Sequence, residues 1–168
     1  MSPSHSTTDI YTPDPPRGWK RLLWRAPIWL YRLGLGGLMG NHFLLMTHTG
    51  RSSGLPRLAV LEIVDRDVEN QIYYVVSGFG KKADWYRNIL KNPDVTIQVG
   101  RKKIAAIAEQ VPLETAVKII LDYAYRHPKA IKNLIQIMGY PLGDTDEDYQ
   151  TFAQIVPVVG IKPRYQGV

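Results

Sequence analysis

From His42 to Gln110 the apolar positions come in short blocks with the spacing of strands. "HFLLMTHT" (42–49) is a nearly continuous apolar run, and "RLAVLEIV" (57–64) and "QIYYVVS" (71–77) are rich in β-branched and aromatic residues. "VTIQV" (95–99) alternates, with Val95, Ile97 and Val99 on one face and Thr96 and Gln98 on the other; "KIAAIAEQ" (103–110) follows after the turn Gly100–Arg101–Lys102. Blocks this short, joined by hairpin-sized turns, predict an antiparallel sheet curled into a barrel. One helix interrupts them: "DWYRNILKN" (84–92), stopped ahead of Pro93, with Asp84 as its N-cap and Trp85, Ile89 and Leu90 as its apolar stripe.

Beyond Gln110 the period changes. Apolar residues at 113, 116, 117, 120, 121 and 124 follow helical spacing, "AIKNLIQIMG" (130–139) predicts a second helix ending at Gly139, and "TDEDYQTFAQ" (145–154) a third, with acids where the helix dipole favours them. "IVPVVGIKPR" (155–164) reads as a closing strand, and Pro157 predicts that it is an edge strand or a bulged one.

The first forty residues are different. "MSPSHSTTDIYTPDPPRG" (1–18) is polar and proline-rich, without the charged start and apolar core of a signal peptide, and predicts a tail. In "WKRLLWRAPIWLYRLGLGGLMG" (19–40), Trp19, Leu22, Leu23, Ala26, Trp29, Leu30 and Leu33 fall at helical spacing around Pro27. Arg21, Arg25 and Arg32 make the stretch too short and too charged to span a bilayer. It reads as an amphipathic helix that lies on an anionic membrane, lids a ligand site or packs on the domain. The glycines of "GLGGLMG" follow no strand and do not form a dinucleotide-binding fingerprint. The expected organisation is a tail over 1–18 and a single domain over 19–168.

Composition narrows the chemistry. The 168 residues are 45% hydrophobic, which suits one globular core, and include no cysteine, which excludes disulfides, thiolate metal sites and cysteine nucleophiles. The histidines show no HxxxH spacing, so no metal site is expected. A net charge of +6 favours anionic partners. No nucleic-acid recognition motif accompanies the charge, and no nucleic-acid partner is expected. Together these features suggest a cytoplasmic protein, peripheral on the inner face of the membrane if residues 19–33 reach it.

Two loops are suited to an anion. In "TGRSSGLPR" (49–57) the glycines let the backbone turn sharply and aim N–H groups at one point, Ser52 and Ser53 can donate, and Arg51 and Arg57 can clamp phosphate or carboxylate with planar forks. "SGFGKKADW" (77–85) leaves a strand with two glycines, Lys81 and Lys82, and runs into a helix N-terminus, a second place for an anion. Two such loops point to a phosphorylated ligand.

"FLLMTHTGRSSGLPR", an aromatic strand ending in Ser77, and "DWYRNILKNPDVTIQVG" together resemble the deazaflavin-dependent nitroreductase family, whose members pair a "TTTGRKSGxPR"-like turn with a "WYxNLxxNPxVxV" stretch. "DYQTF" followed by "IVPVV" is similar to the family's carboxyl end. The resemblance implies an α+β, mainly β fold: an antiparallel split β-barrel of the flavin-reductase type, with peripheral helices and the N-terminal amphipathic helix. It implies coenzyme F-420 (8-hydroxy-5-deazaflavin) as hydride donor, with FMN as the alternative. By position, Arg51, Ser52, Ser53 and Arg57 would hold the phosphate side, and Leu58, Ala59, Val60 and Leu61 would run along the ring slot. Val75, Val76, Ser77 and Gly78 would approach the ring with backbone, Asp84, Trp85, Tyr86 and Asn88 would complete the pocket, and Tyr149 would close the substrate side as the catalytic residue. Family members carry a cation where this chain has Ser52; Lys81 or Lys82 would supply it from the second loop. His48 stands where a threonine is usual.

The implied activity is hydride transfer to a quinone, nitroaromatic or activated alkene. The alternative is a non-catalytic flavin, haem or lipid binding protein on the same barrel. The partners expected are a small-molecule electron acceptor, an anionic membrane surface met through residues 19–33, and a second copy of the chain as a homodimer.

Overall fold

The computed structural model describes residues 40–164, together with residues 14, 15, 17, 18, 28, 33 and 37. Six strands form one closed antiparallel barrel: β1 (Phe43–Thr49), β2 (Pro56–Asp67), β3 (Ile72–Val76), β4 (Asp94–Val99), β5 (Lys102–Gln110) and β6 (Val158–Pro163). Around the barrel their order is β1-β2-β3-β6-β5-β4. Alternation along each strand sends one set of side chains inward. Leu44 and Met46, Leu61 and Ile63, Val75, Val95, Ile97 and Val99, Ala106 and Ala108, and Val159 and Ile161 fill the interior.

The helix α1 (Asp84–Lys91) connects the end of β3 to the start of β4, so it lies over one end of the barrel and buries Tyr86 and Ile89 in the barrel core. Three further helices, α2 (Leu113–Arg126), α3 (Pro128–Ile137) and α4 (Asp146–Ile155), make a second core against the outer faces of β2, β3 and β6. There Ile120, Ile131, Ile135, Phe152 and Val156 pack with Val64 and Val158, and Tyr74 and Val76 lie against them. Tyr123 on α2 donates to Glu62 on β2 at 2.5 Å, and Arg126 pairs with Asp65 at 3.1 Å, fastening helix to sheet.

Several details differ from the sequence reading. Asp84 is the first residue of α1 and caps nothing: Ala83 is the N-cap, without a side-chain bond, and the Asp84 carboxylate instead reaches Arg51. Leu90 is 60% exposed, because the buried face of α1 is turned toward Tyr86, Asn88 and Ile89. Leu113 is likewise exposed at the start of α2, whose buried face runs through Ala116, Ile119, Ile120, Tyr123 and Ala124. β6 is neither an edge strand nor bulged at Pro157: it pairs with β3 and β5, and Pro157 precedes its first residue, where its missing N–H costs no ladder bond. β2 extends three residues past Val64: after a register shift between Ile63 and Asp65 the ladder continues, with Asp65, Arg66 and Asp67 opposite Tyr74, Tyr73 and Ile72.

Of the expected amphipathic segment over 19–33, only Ile28, which is helical and buried, and Leu33, which is exposed, fall among the described residues, so its contact with a membrane lies outside them. The expected tail over 1–18 is described only at Asp14, Pro15, Arg17 and Gly18, and Asp14 pairs with Lys82 of the second loop at 2.9 Å. Among the described residues no helix is long and apolar enough to cross a membrane.

Candidate cofactor site

The turn between β1 and β2 is built by its glycines. The Gly50 N–H donates to the Leu55 carbonyl and the Gly54 N–H to the Gly50 carbonyl, each at 2.8 Å. Gly54 has φ +67°, which favours glycine, and a Cβ on Gly50 would stand 2.6 Å from Ser53 Oγ. This closed turn leaves the N–H groups of Ser52 and Ser53 exposed and without a partner among the described residues. Arg57 lies beside it, its Nε 3.5 Å from the same Cβ position on Gly50.

Arg51 is anchored from both ends. Its backbone N–H and its Nη1 each donate to Asn88 Oδ1 at 3.0 Å, and Nη1 also donates to Asp84 Oδ1 at 3.0 Å. Lys91 donates to the Arg51 carbonyl at 2.8 Å. The other edge of the guanidinium, Nε and Nη2, makes no hydrogen bond among the described residues and is available for a planar anion. Asp84 is an exposed partner, so this pair is screened and stabilises the fold little.

Behind Asn88 lies His48, 4% exposed, at the last inward position of β1, its Nδ1 3.1 Å from Asn88 Nδ2. Burial pushes the imidazole down to about 4; the Asp84 carboxylate opposes that shift and Arg57 adds to it. A neutral buried histidine makes stability depend on pH. Between the unfolded value of 6.5 and about 4 the unfolded chain binds the proton that the folded chain refuses, so stability falls as pH falls through that window. The expected loss is at most about 3 kcal/mol, read as a falling urea midpoint between pH 7 and pH 4, and His48→Leu should flatten that slope.

The strand alternation divides the other expected contacts. Leu58 faces outward and, with Leu45, Thr47, Thr96, Ile97, Gln98 and Lys103, lines a shallow depression of about 310 Å³ on the barrel wall. It starts beyond two residue pairs from the turn, since Thr49 pairs with Pro56, His48 with Arg57 and Thr47 with Leu58. Val60 shares that outer face, whereas Ala59 and Leu61 turn into the barrel core. Val75 is also in the barrel core and Val76 against the helices. Ser77 is fully buried, with its N–H donating to the Pro157 carbonyl at 2.9 Å and its hydroxyl to the Gly80 carbonyl at 2.7 Å. The Gly78 carbonyl accepts from the Tyr140 hydroxyl at 2.7 Å. Tyr86 is buried and donates to Gln110 at 2.6 Å, and Trp85 is half-buried beside it. Lys81 is exposed and Lys82 pairs with Asp14.

Arg51, Ser52, Ser53, Arg57, Asp84 and Asn88 thus come together at one end of the barrel. Tyr149 belongs to the helical core instead, 7% exposed, with its hydroxyl raised above the usual tyrosine value by burial and by the carboxylates of Asp144, Asp146 and Asp148. Its helix is linked to the second loop through Tyr140, whose ring Phe152 meets edge-on at 5.4 Å and whose hydroxyl holds the Gly78 carbonyl. His48, Lys91 and Tyr140 were not among the expected contacts. His48 stood out in the sequence only as a residue where the family usually has threonine; nothing in the sequence tied Lys91 or Tyr140 to the loops they hold.

The F420H(2)-dependent quinone reductase family model matches residues 25–129, which contain both loops and α1. The chain belongs to this family. A Mycobacterium tuberculosis protein named for F420H(2)-dependent quinone reduction is 38% identical over 81 residues, a match spanning 45% of this chain and 66% of that protein. Among solved structures, an F420-H2 dependent reductase is similar with a TM-score of 0.51 and 24% identity, over 73% of this chain and 96% of that one. A domain-swapped dimer is similar with a TM-score of 0.53 and 21% identity, over 86% and 100%. At these identities the two structures support the fold, and the barrel of this quinone reductase family member is the one they share.

Proposed function

We propose that this protein reduces a quinone, nitroaromatic or activated alkene with a hydride taken from reduced coenzyme F-420, quinones being the principal acceptors. The observation that carries this reading is the cluster of unsatisfied donors at the β1–β2 turn: the N–H groups of Ser52 and Ser53, the open edge of Arg51, and Arg57. A phosphodiester fits that donor set, which offers planar charged forks and backbone N–H groups together. Lys81 is exposed on the second loop and suits the carboxylates of an oligoglutamate tail.

When bound, the cofactor supplies the hydride; the chain binds it, orients it against the acceptor and keeps water from the transfer. A quinone that has received the hydride needs one proton to become the hydroquinone, and Tyr149 is the proposed donor of it. Its hydroxyl makes no hydrogen bond among the described residues, so the proton is not committed elsewhere. Tyr149→Phe should lower turnover about a hundredfold, the low end for general acid catalysis, with cofactor affinity unchanged. Unchanged turnover would leave Tyr149 as a packing residue of α4 and solvent as the proton source. The activity itself is tested anaerobically with reduced coenzyme F-420 and menadione. Protein-dependent return of the oxidised coenzyme's absorbance is the expected result; no return with any quinone, nitroaromatic or alkene would refute the assignment.

A further inference from the structure

We propose that Asn88 and His48 are positioning residues for the phosphate end of the cofactor, acting through Arg51 and touching no ligand themselves. This rests on the cofactor reading above.

The hydrogen-bond chemistry of the three residues permits one arrangement. The Arg51 N–H and Nη1 are both donors that cannot accept. The Asn88 atom facing both must therefore be its carbonyl oxygen, and the amide nitrogen must face the other way. That nitrogen meets His48 Nδ1 at 3.1 Å, and two donors cannot bond, so Nδ1 carries the lone pair and the ring proton sits on Nε2. Asn88 and His48 are both buried, so neither can exchange its partner for water without opening the end of the barrel.

The consequence falls on Arg51. One buried amide oxygen holds both its backbone and one edge of its guanidinium, while Asp84 takes the same Nη1 from the solvent side. The side chain is thereby fixed with Nε and Nη2 unused. Fixing a long cationic side chain before binding removes the ordering cost that binding would otherwise carry. If His48 loses its acceptor, a buried amide proton of Asn88 is unsatisfied. The amide then turns toward another acceptor, and Arg51 loses both bonds to it. The expected contribution of Asn88 as a pocket contact thus becomes an indirect one.

Full-length wild type, His48→Leu and His48→Asn are titrated with oxidised coenzyme F-420 and with 8-hydroxy-5-deazariboflavin, the same chromophore without phosphate. The Asn Oδ1 accepts from a position close to that of His Nδ1 and should restore the bond. His48→Leu should weaken the intact coenzyme about tenfold and leave the phosphate-free chromophore within about twofold, while His48→Asn stays near wild type for both. Hydrogen exchange at the Arg51 amide should quicken in His48→Leu and not in His48→Asn. Should His48→Leu not fold, His48→Val carries the same test. Equal losses for both compounds, or unchanged coenzyme affinity in His48→Leu, would overturn the proposal. If wild type binds no coenzyme, the cofactor reading fails, and the Arg51 exchange rates still decide whether His48 holds Arg51.

Discussion

Replacing Arg51 with alanine should weaken coenzyme F-420 binding by about 1.5–3 kcal/mol, roughly ten- to a hundredfold, the range of a hydrogen bond to a charged group. The effect should be mostly on affinity. The ion pair that Arg51→Ala removes is with Asp84, which is 71% exposed, and such pairs contribute about 0–1 kcal/mol. The backbone N–H of residue 51 still reaches Asn88 Oδ1 in the variant, so the turn keeps its hold on α1. Isothermal titration and thermal unfolding on the same samples check both halves. A large loss of stability with unchanged affinity would make the turn a structural joint with no role in binding.

The helical layer should show the opposite profile. Phe152 is fully buried between α4 and its neighbours, and its ring meets Tyr140 edge-on. Phe152→Ala removes that ring contact and leaves a cavity, at a cost of about 3–5 kcal/mol. In a chain of this length that lowers the melting point by on the order of 10 °C. The phosphate side should survive, because Arg51, Asn88 and His48 belong to the barrel end and touch none of the helical core. The second loop should loosen, since Tyr140, whose hydroxyl burial raises to about 12, holds the Gly78 carbonyl. A change below about 1 kcal/mol in the urea unfolding free energy would mean that the layer packs loosely on the barrel.

The strand pattern carried most of the fold. Val95, Ile97 and Val99 alternate cleanly because β4 has one buried face, and all three lie inside the barrel as expected. The end of β2 was illegible because the polar Asp65, Arg66 and Asp67 end the apolar block, while a bulge and pairing with β3, with the Asp65 bond to α2, keep them in the ladder. Pro157 misled because a proline beside a strand looks, in sequence, like a proline within it. The turn at 50–55 was legible from its residue types as a tight glycine turn carrying donors and cations. What the sequence did not reveal is which of its groups are spent internally. The bonds from Asn88 to Arg51 and to His48 span 37 and 40 residues, and no local pattern encodes them. The run from Leu58 to Leu61 was expected along one slot, but strand alternation sends Leu58 to the wall depression and Leu61 to the core.

The central claim is that the β1–β2 turn and its neighbours hold coenzyme F-420. Parallel titration of the full-length protein with oxidised coenzyme F-420, FMN and NADPH tests it most directly. The deazaflavin should bind with clear preference over both, and that preference should shrink in Arg51→Ala. Equal or tighter binding of FMN would contradict the assignment and favour a flavin-binding protein on the same barrel.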